Sequence, residues 1–130
     1  MRTSLCFCAA LLLCGILNFS EARAADGPSR LRHVVCLKFK ESAKPEEIKK
    51  AEDAFRELKT KINYIITLEW GTNISKEKVS KGFTHCFVLT FVDEKDLDAY
   101  VKNADHQAFA KNVLGPIMDD VFVFDYKVKE

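Results

Sequence analysis

The order in which apolar residues change their spacing along this chain constrains the fold more than any other feature. Over residues 31–39, LRHVVCLKF alternates. Leu31, His33, Val35, Leu37 and Phe39 fall on one face, with Arg32, Val34, Cys36 and Lys38 on the other, as in a strand. Pro45 followed by Glu46-Glu47 marks a helix start, and Ile48, Ala51, Phe55, Leu58 and Ile62 then recur at three and four residues, which predicts an amphipathic helix. YIITLEWG, residues 64–71, returns to period two and ends at a glycine, so a second strand is expected. FTHCFVLTF, residues 83–91, repeats the alternation, with Phe83, His85, Phe87, Leu89 and Phe91 on one side. Asp93 is placed to cap a helix carrying Leu97, Tyr100 and Val101, and a further helical piece carries Phe109, Val113 and Leu114. Gly115-Pro116 ends it, and VFVFDYKV, residues 121–128, reads as the last strand. The order βαββαβ predicts an α+β, ferredoxin-like domain: a four-stranded antiparallel sheet with helices on one face.

The second helical region is interrupted inside YVKNADHQAF, residues 100–109. Tyr100 and His106 are six residues apart, about 600° of rotation on one continuous helix, so their side chains meet only if the helix breaks. Asn103 is suited to ending one helix and Asp105 to capping the next, so the chain is expected to bend there.

Residues 1–24 read as a secretory signal peptide: Arg2, the apolar run LCFCAALLLCGIL, and Ala22-Arg23-Ala24 as a cleavage site. The apolar run is too short for a spanning helix, so no stable membrane insertion is expected after cleavage, and the protein should be secreted or periplasmic. Residues 25–30 are small and polar and are expected to form a flexible tail, and 31–130 a single domain with one core. Of five cysteines, Cys6, Cys8 and Cys14 leave with the signal. Cys36 and Cys86 are too few for a disulfide scaffold, and a bond across paired central strands is strained, so two free thiols are expected. Charges of both signs are mixed and cancel beyond residue 24, with no basic patch to suggest nucleic acid.

Helices cover only one sheet face, yet Val34, Cys36, Cys86 and Val88 make the other apolar as well. A second sheet from another copy would bury it, so a homodimer closing a barrel is expected. On the helix side, His33 and His85 should point into the same interior as Tyr100 and His106, a grouping suited to proton transfer or to orienting an oxygen-bearing ligand. Each imidazole also suits an ordinary core place with a backbone partner. A helix start favours a neutral His106, whereas adjacent Asp105 favours the charged form. No pair of histidines has metal-knuckle or helical metal-ligand spacing, so neither metal nor other cofactor is expected. Asn73-Ile74-Ser75 is an N-glycosylation sequon in a loop, meaningful in a eukaryotic source.

RHVVCLKFK, EWGTNIS, GFTHCFVLTF, AYVKNADHQAF and VFVFDYKV together resemble the stress-responsive dimeric A/B barrel (Dabb) domain over residues 31–128. The resemblance implies a ferredoxin-like protomer and a dimeric α+β barrel. In plant polyketide cyclases of that family a tyrosine and a histidine form an acid/base pair, which implies a catalytic role for Tyr100 and His106 and a pocket role for His33 and His85. Many members read H-P-x-H where this chain has Asn103-Ala104-Asp105-His106. Three functions fit: binding of a small apolar or oxygenated molecule between sheet and helices, a cofactor-independent cyclase or lyase using Tyr100 and His106, and a structural stress protein.

Overall fold

The computed structural model describes residues 30–129; the expected signal peptide, residues 1–24, and residues 25–29 of the expected tail lie outside the described residues. Within them the predicted order holds, as β1 (Leu31–Phe39), α1 (Pro45–Lys61), β2 (Thr67–Thr72), β3 (His85–Phe91), α2 (Glu94–Lys102), α3 (Ala104–Phe109) and β4 (Met118–Lys127). The sheet runs β2-β3-β1-β4 with every pair antiparallel. β1 and β3 are central, as their two-sided apolar patterns require.

Side-chain alternation sets which face each residue meets. Leu31, His33, Val35 and Leu37 are buried, and the residues between them are half-buried. α1 lays Ala51, Phe55 and Leu58 on that face, and Phe55 stacks on Phe87 with ring centres 3.9 Å apart. Burying such side chains contributes roughly 1.5–3 kcal/mol each. Pro45 opens α1, and the backbone N–H of Lys44 donates to Glu47 Oε2 at 2.9 Å, which satisfies one of the donors a helix start leaves free.

Among the described residues nothing covers the opposite face. Val34, Cys36, Cys86 and Val88 are half-buried, while Phe122, Phe124 and Tyr126 of β4 are exposed and form an aromatic row.

Several boundaries differ from the sequence expectation: β3 begins at His85 rather than Phe83, and β4 runs over Met118–Lys127 rather than 121–128. β2 begins at Thr67 rather than Tyr64, because Ile62 and Ile65 turn into the core as the chain leaves α1. Asp105 does not cap the third helix. Asn103 ends α2 and caps α3, its Oδ1 accepting from the Asp105 N–H at 2.8 Å, so one residue performs both tasks.

Candidate functional site

The break at Asn103 sets the site's geometry. Tyr100 sits in the last turn of α2 and His106 in the first turns of α3, and the bend brings their rings to 4.4 Å between centres. Six residues that would diverge on one helix thus converge on two. α3 runs into a π-helical turn, Ala110–Leu114, closed by the Gly115 N–H donating to the Ala110 carbonyl at 2.9 Å. A Cβ on Gly115 would stand 2.9 Å from the Lys111 carbonyl oxygen, so this wide turn depends on glycine.

Beneath the bend lies a pocket of about 370 Å³. Phe55, Phe109, Leu114 and Val123 supply apolar wall; Tyr100, His106, His33 and Asp125 supply the polar groups. His33 comes from β1, its ring edge-on to Tyr100 at 5.8 Å. Across the β1–β4 ladder His33 is the direct partner of Asp125, and its Nδ1 lies 2.6 Å from Asp125 Oδ1. A carboxylate only accepts, so Nδ1–H is the donor and Nε2 is left for whatever enters the pocket.

The same reasoning assigns the proton on His106. Its Nδ1 stands 3.1 Å from the Val101 carbonyl, which cannot donate, so Nδ1 carries the hydrogen and Nε2 the lone pair. Burial lowers the His106 pKa below its ordinary value, the Val101 carbonyl pulls it up, and the nearby His33 pushes it down. Desolvation therefore keeps this imidazole neutral at pH 7, rather than the helix start considered from sequence. Burial acts on Tyr100 in the opposite sense, raising its pKa and holding the phenol protonated. A neutral imidazole beside a protonated phenol is a base next to a hydrogen-bond donor.

His85 does not share this pocket. It lies on the same sheet face, but its partner on β1 is Leu37, while His33 pairs with Leu89, four residues along. That offset is roughly 13 Å at strand spacing. There His85 Nε2–H donates to Glu52 of α1 at 2.9 Å, and the Thr84 hydroxyl reaches Nδ1 at 2.8 Å. Phe39 packs edge-on at 5.0 Å and Trp70 lies parallel at 6.4 Å. The structure thus brings together His33, Tyr100 and His106, adds Asp125, and separates His85. Among the described residues no group of three or more His, Cys, Asp or Glu side chains is placed to hold a metal ion. No helix among them is long and apolar enough to cross a membrane.

The chain has relatives in sequence and fold. The model of the stress-responsive A/B barrel domain matches residues 31–128. The Arabidopsis thaliana stress-response A/B barrel domain-containing protein HS1 is 33% identical over 103 residues, covering 79% of this chain and 92% of that protein. Olivetolic acid cyclase from Cannabis sativa is 26% identical, covering 74% of this chain and 94% of that one. Among solved structures, hydroxynitrile lyase from Passiflora edulis superposes with a TM-score of 0.74 at 24% identity, over 79% of this chain and 96% of that one. A dimeric ferredoxin-like protein from Thermobifida fusca gives 0.67 at 16%, over 79% and 93%. The chain belongs to the stress-responsive A/B barrel domain family, and its residues 31–128 are that domain.

Proposed function

We propose that this protein is an exported homodimer that binds a small, mainly apolar molecule carrying an oxygen function in the pocket between sheet and helices. The observation that carries the reading is the convergence of His33, Tyr100 and His106 on one apolar cavity of about 370 Å³. Its size suits a compact ligand, and a few polar groups in an apolar wall are what orients one. Export is inferred from the residues before Ala25. The dimer is supported by the face of Val34, Val88, Phe122 and Phe124, which no described residue covers, and by Arg32 on that face, whose Nη1 is buried without a partner among the described residues. An acceptor from a second copy would satisfy it.

A thermal-shift screen of small apolar molecules with carbonyl or hydroxyl groups tests the pocket. A ligand should raise the melting temperature of the native protein and raise that of His106→Ala distinctly less. Equal stabilisation of both would remove His106 from the site. For the dimer, Val88→Asp places an unpaired charge in the buried face and should yield monomer or aggregate in light scattering, whereas a monomeric native protein would overturn the assembly.

A second reading, proton-transfer catalysis without a cofactor, is favoured by the neutral His106 facing a protonated Tyr100, and by likeness to a cyclase. His106 Nε2 would take a proton from an activated carbon while the Tyr100 hydroxyl hydrogen-bonds the developing oxyanion. Under this reading His106→Ala and Tyr100→Phe leave the fold intact and lower turnover by about 10² to 10⁴.

A further inference from the structure

Strand register places charges among the apolar residues of the sheet face away from the helices. Glu69 is the direct partner of Val88 and Val88 of Val34, and Arg32, two residues from Val34, shares their face. Lys38 and Asp120, partners across β1 and β4, lie on it as well. These last two are engaged within the protomer: Lys38 is held by Asp119 at 2.6 Å, and Asp120 Oδ1 accepts from the Val121 N–H at 2.8 Å. Arg32 and Glu69 are not. Among the described residues neither forms an ion pair, and Arg32 Nη1 is buried with no hydrogen-bond partner. Their signs are opposite, yet they do not meet within one sheet. β3 lies between their strands, which sets them roughly 10 Å apart across the sheet and roughly 7 Å along it. Side chains on one face stand side by side, whereas those of two stacked sheets, about 10 Å apart, meet end to end.

We propose that Arg32 of each protomer pairs with Glu69 of the partner subunit, so that two symmetric ion pairs fix how the two sheets are set on one another. The inference rests on the homodimer reading and adds the residues that choose its register. A two-fold interface is reciprocal: if Arg32 meets Glu69 of the partner subunit, its own Glu69 meets the partner's Arg32. The shape of the face is self-complementary in the same sense. Phe122, Phe124 and Tyr126 make an exposed ridge on β4. Toward β2, the free thiols Cys36 and Cys86 and the glycine at 71 leave an open groove of about 600 Å³, with Glu69 in its wall. A Cβ on Gly71 would meet nothing within 4 Å, so packing inside the protomer does not require a glycine there. An edge glycine leaves room for another chain to come close. Apolar burial drives the two faces together but is non-directional, whereas a buried guanidinium accepts only the setting that gives it a carboxylate.

Analytical ultracentrifugation of the native protein and its variants reads the pairing as a dimer dissociation constant. Glu69 is exposed in the protomer, so Glu69→Arg should keep the native circular dichroism. It sets like charges opposite one another and should raise the constant at least about a hundredfold. Arg32→Glu should do the same. Mixed in equal amounts, these two variants should recover a heterodimer, since each chain then brings the charge that the other lacks. An arm that does not depend on Arg32→Glu folding uses methionine. Glu69→Met alone strands a buried guanidinium and weakens the dimer, whereas Arg32→Met with Glu69→Met strands nothing and should dimerise at least as tightly as the native protein. A native dimer whose constant Glu69→Arg leaves unchanged, or a mixture of the two folded charge variants that stays monomeric, overturns the ion pair and leaves the homodimer standing. A monomeric native protein overturns both.

Discussion

The helix-facing side of the sheet carries two histidine–carboxylate pairs, and they differ in what lies beyond the imidazole. At one end His85 has both ring nitrogens engaged, by Glu52 and by Thr84, and its carboxylate partner comes from the long helix α1 with only 19% of its side chain exposed. At the other end His33 has one nitrogen held by Asp125, a residue of an edge strand with 41% of its side chain exposed, and turns the other toward a cavity. An imidazole with both nitrogens engaged has neither proton nor lone pair to offer. One held at a single nitrogen has an orientation and a free site as well. The same residue type on the same sheet face is thus a strut at one end and a ligand-facing group at the other. The covering element makes the difference: continuous α1 seals the first, and the break between α2 and α3 leaves the second open.

The largest way to disturb the contrast is to remove the wall of the open end. Tyr100 is 1% exposed and packs against Phe91 at 5.2 Å and His33 at 5.8 Å. Tyr100→Ala should cost about 3–5 kcal/mol in urea unfolding, by analogy with other large aromatic truncations. A much smaller loss would mean that the neighbouring helices collapse into the space and that the pocket is soft rather than preformed.

A second pair of variants sharpens the comparison directly. Glu52→Ala leaves a buried imidazole N–H without its acceptor and should cost about 2 kcal/mol. Asp125→Ala removes a carboxylate that water already reaches, so its cost should stay within about 1 kcal/mol, while ligand-induced stabilisation falls. If Asp125→Ala destabilises more than Glu52→Ala, the assignment of strut and site is reversed.

Much of this was legible before the structure. β1, α1 and β3 announce themselves because burial on one face imposes period two or 3.6 on adjacent residues, and the polar run at 103–105 marks the bend that brings Tyr100 to His106. What stayed hidden depends on register between distant segments. Asp125 interrupts an apolar strand, a visible oddity, but β4 is apolar on both faces, so hydrophobic pattern alone does not say which β1 residue lies opposite it. Glu52 reads as part of the polar face of α1, and its reach to His85 follows from how that helix is rotated on the sheet. His33 and His85 share a face by parity, and parity carries no information about distance along the strand.

The smallest expected effect is the one closest to the chemistry. His106 has its folded pKa lowered from 6.5, by burial first and by the charge of nearby His33, with the Val101 carbonyl opposing both. In the unfolded chain that burial is gone, so on acidification the unfolded state takes up the proton first. Between the lowered folded value and 6.5 the unfolded state binds more protons, and stability therefore rises with pH there. The contribution is fully present above the unfolded pKa and is lost as pH falls through it toward the folded value. Urea midpoints taken from about pH 5 to 7.5 should show this slope, and His106→Gln should flatten it without removing the parts due to other groups. An apolar ligand that fills the pocket should steepen it, since it strips further water from the imidazole. A slope unchanged in His106→Gln would mean that this histidine protonates as freely as a surface one, and the neutral base on which proton transfer depends would be absent.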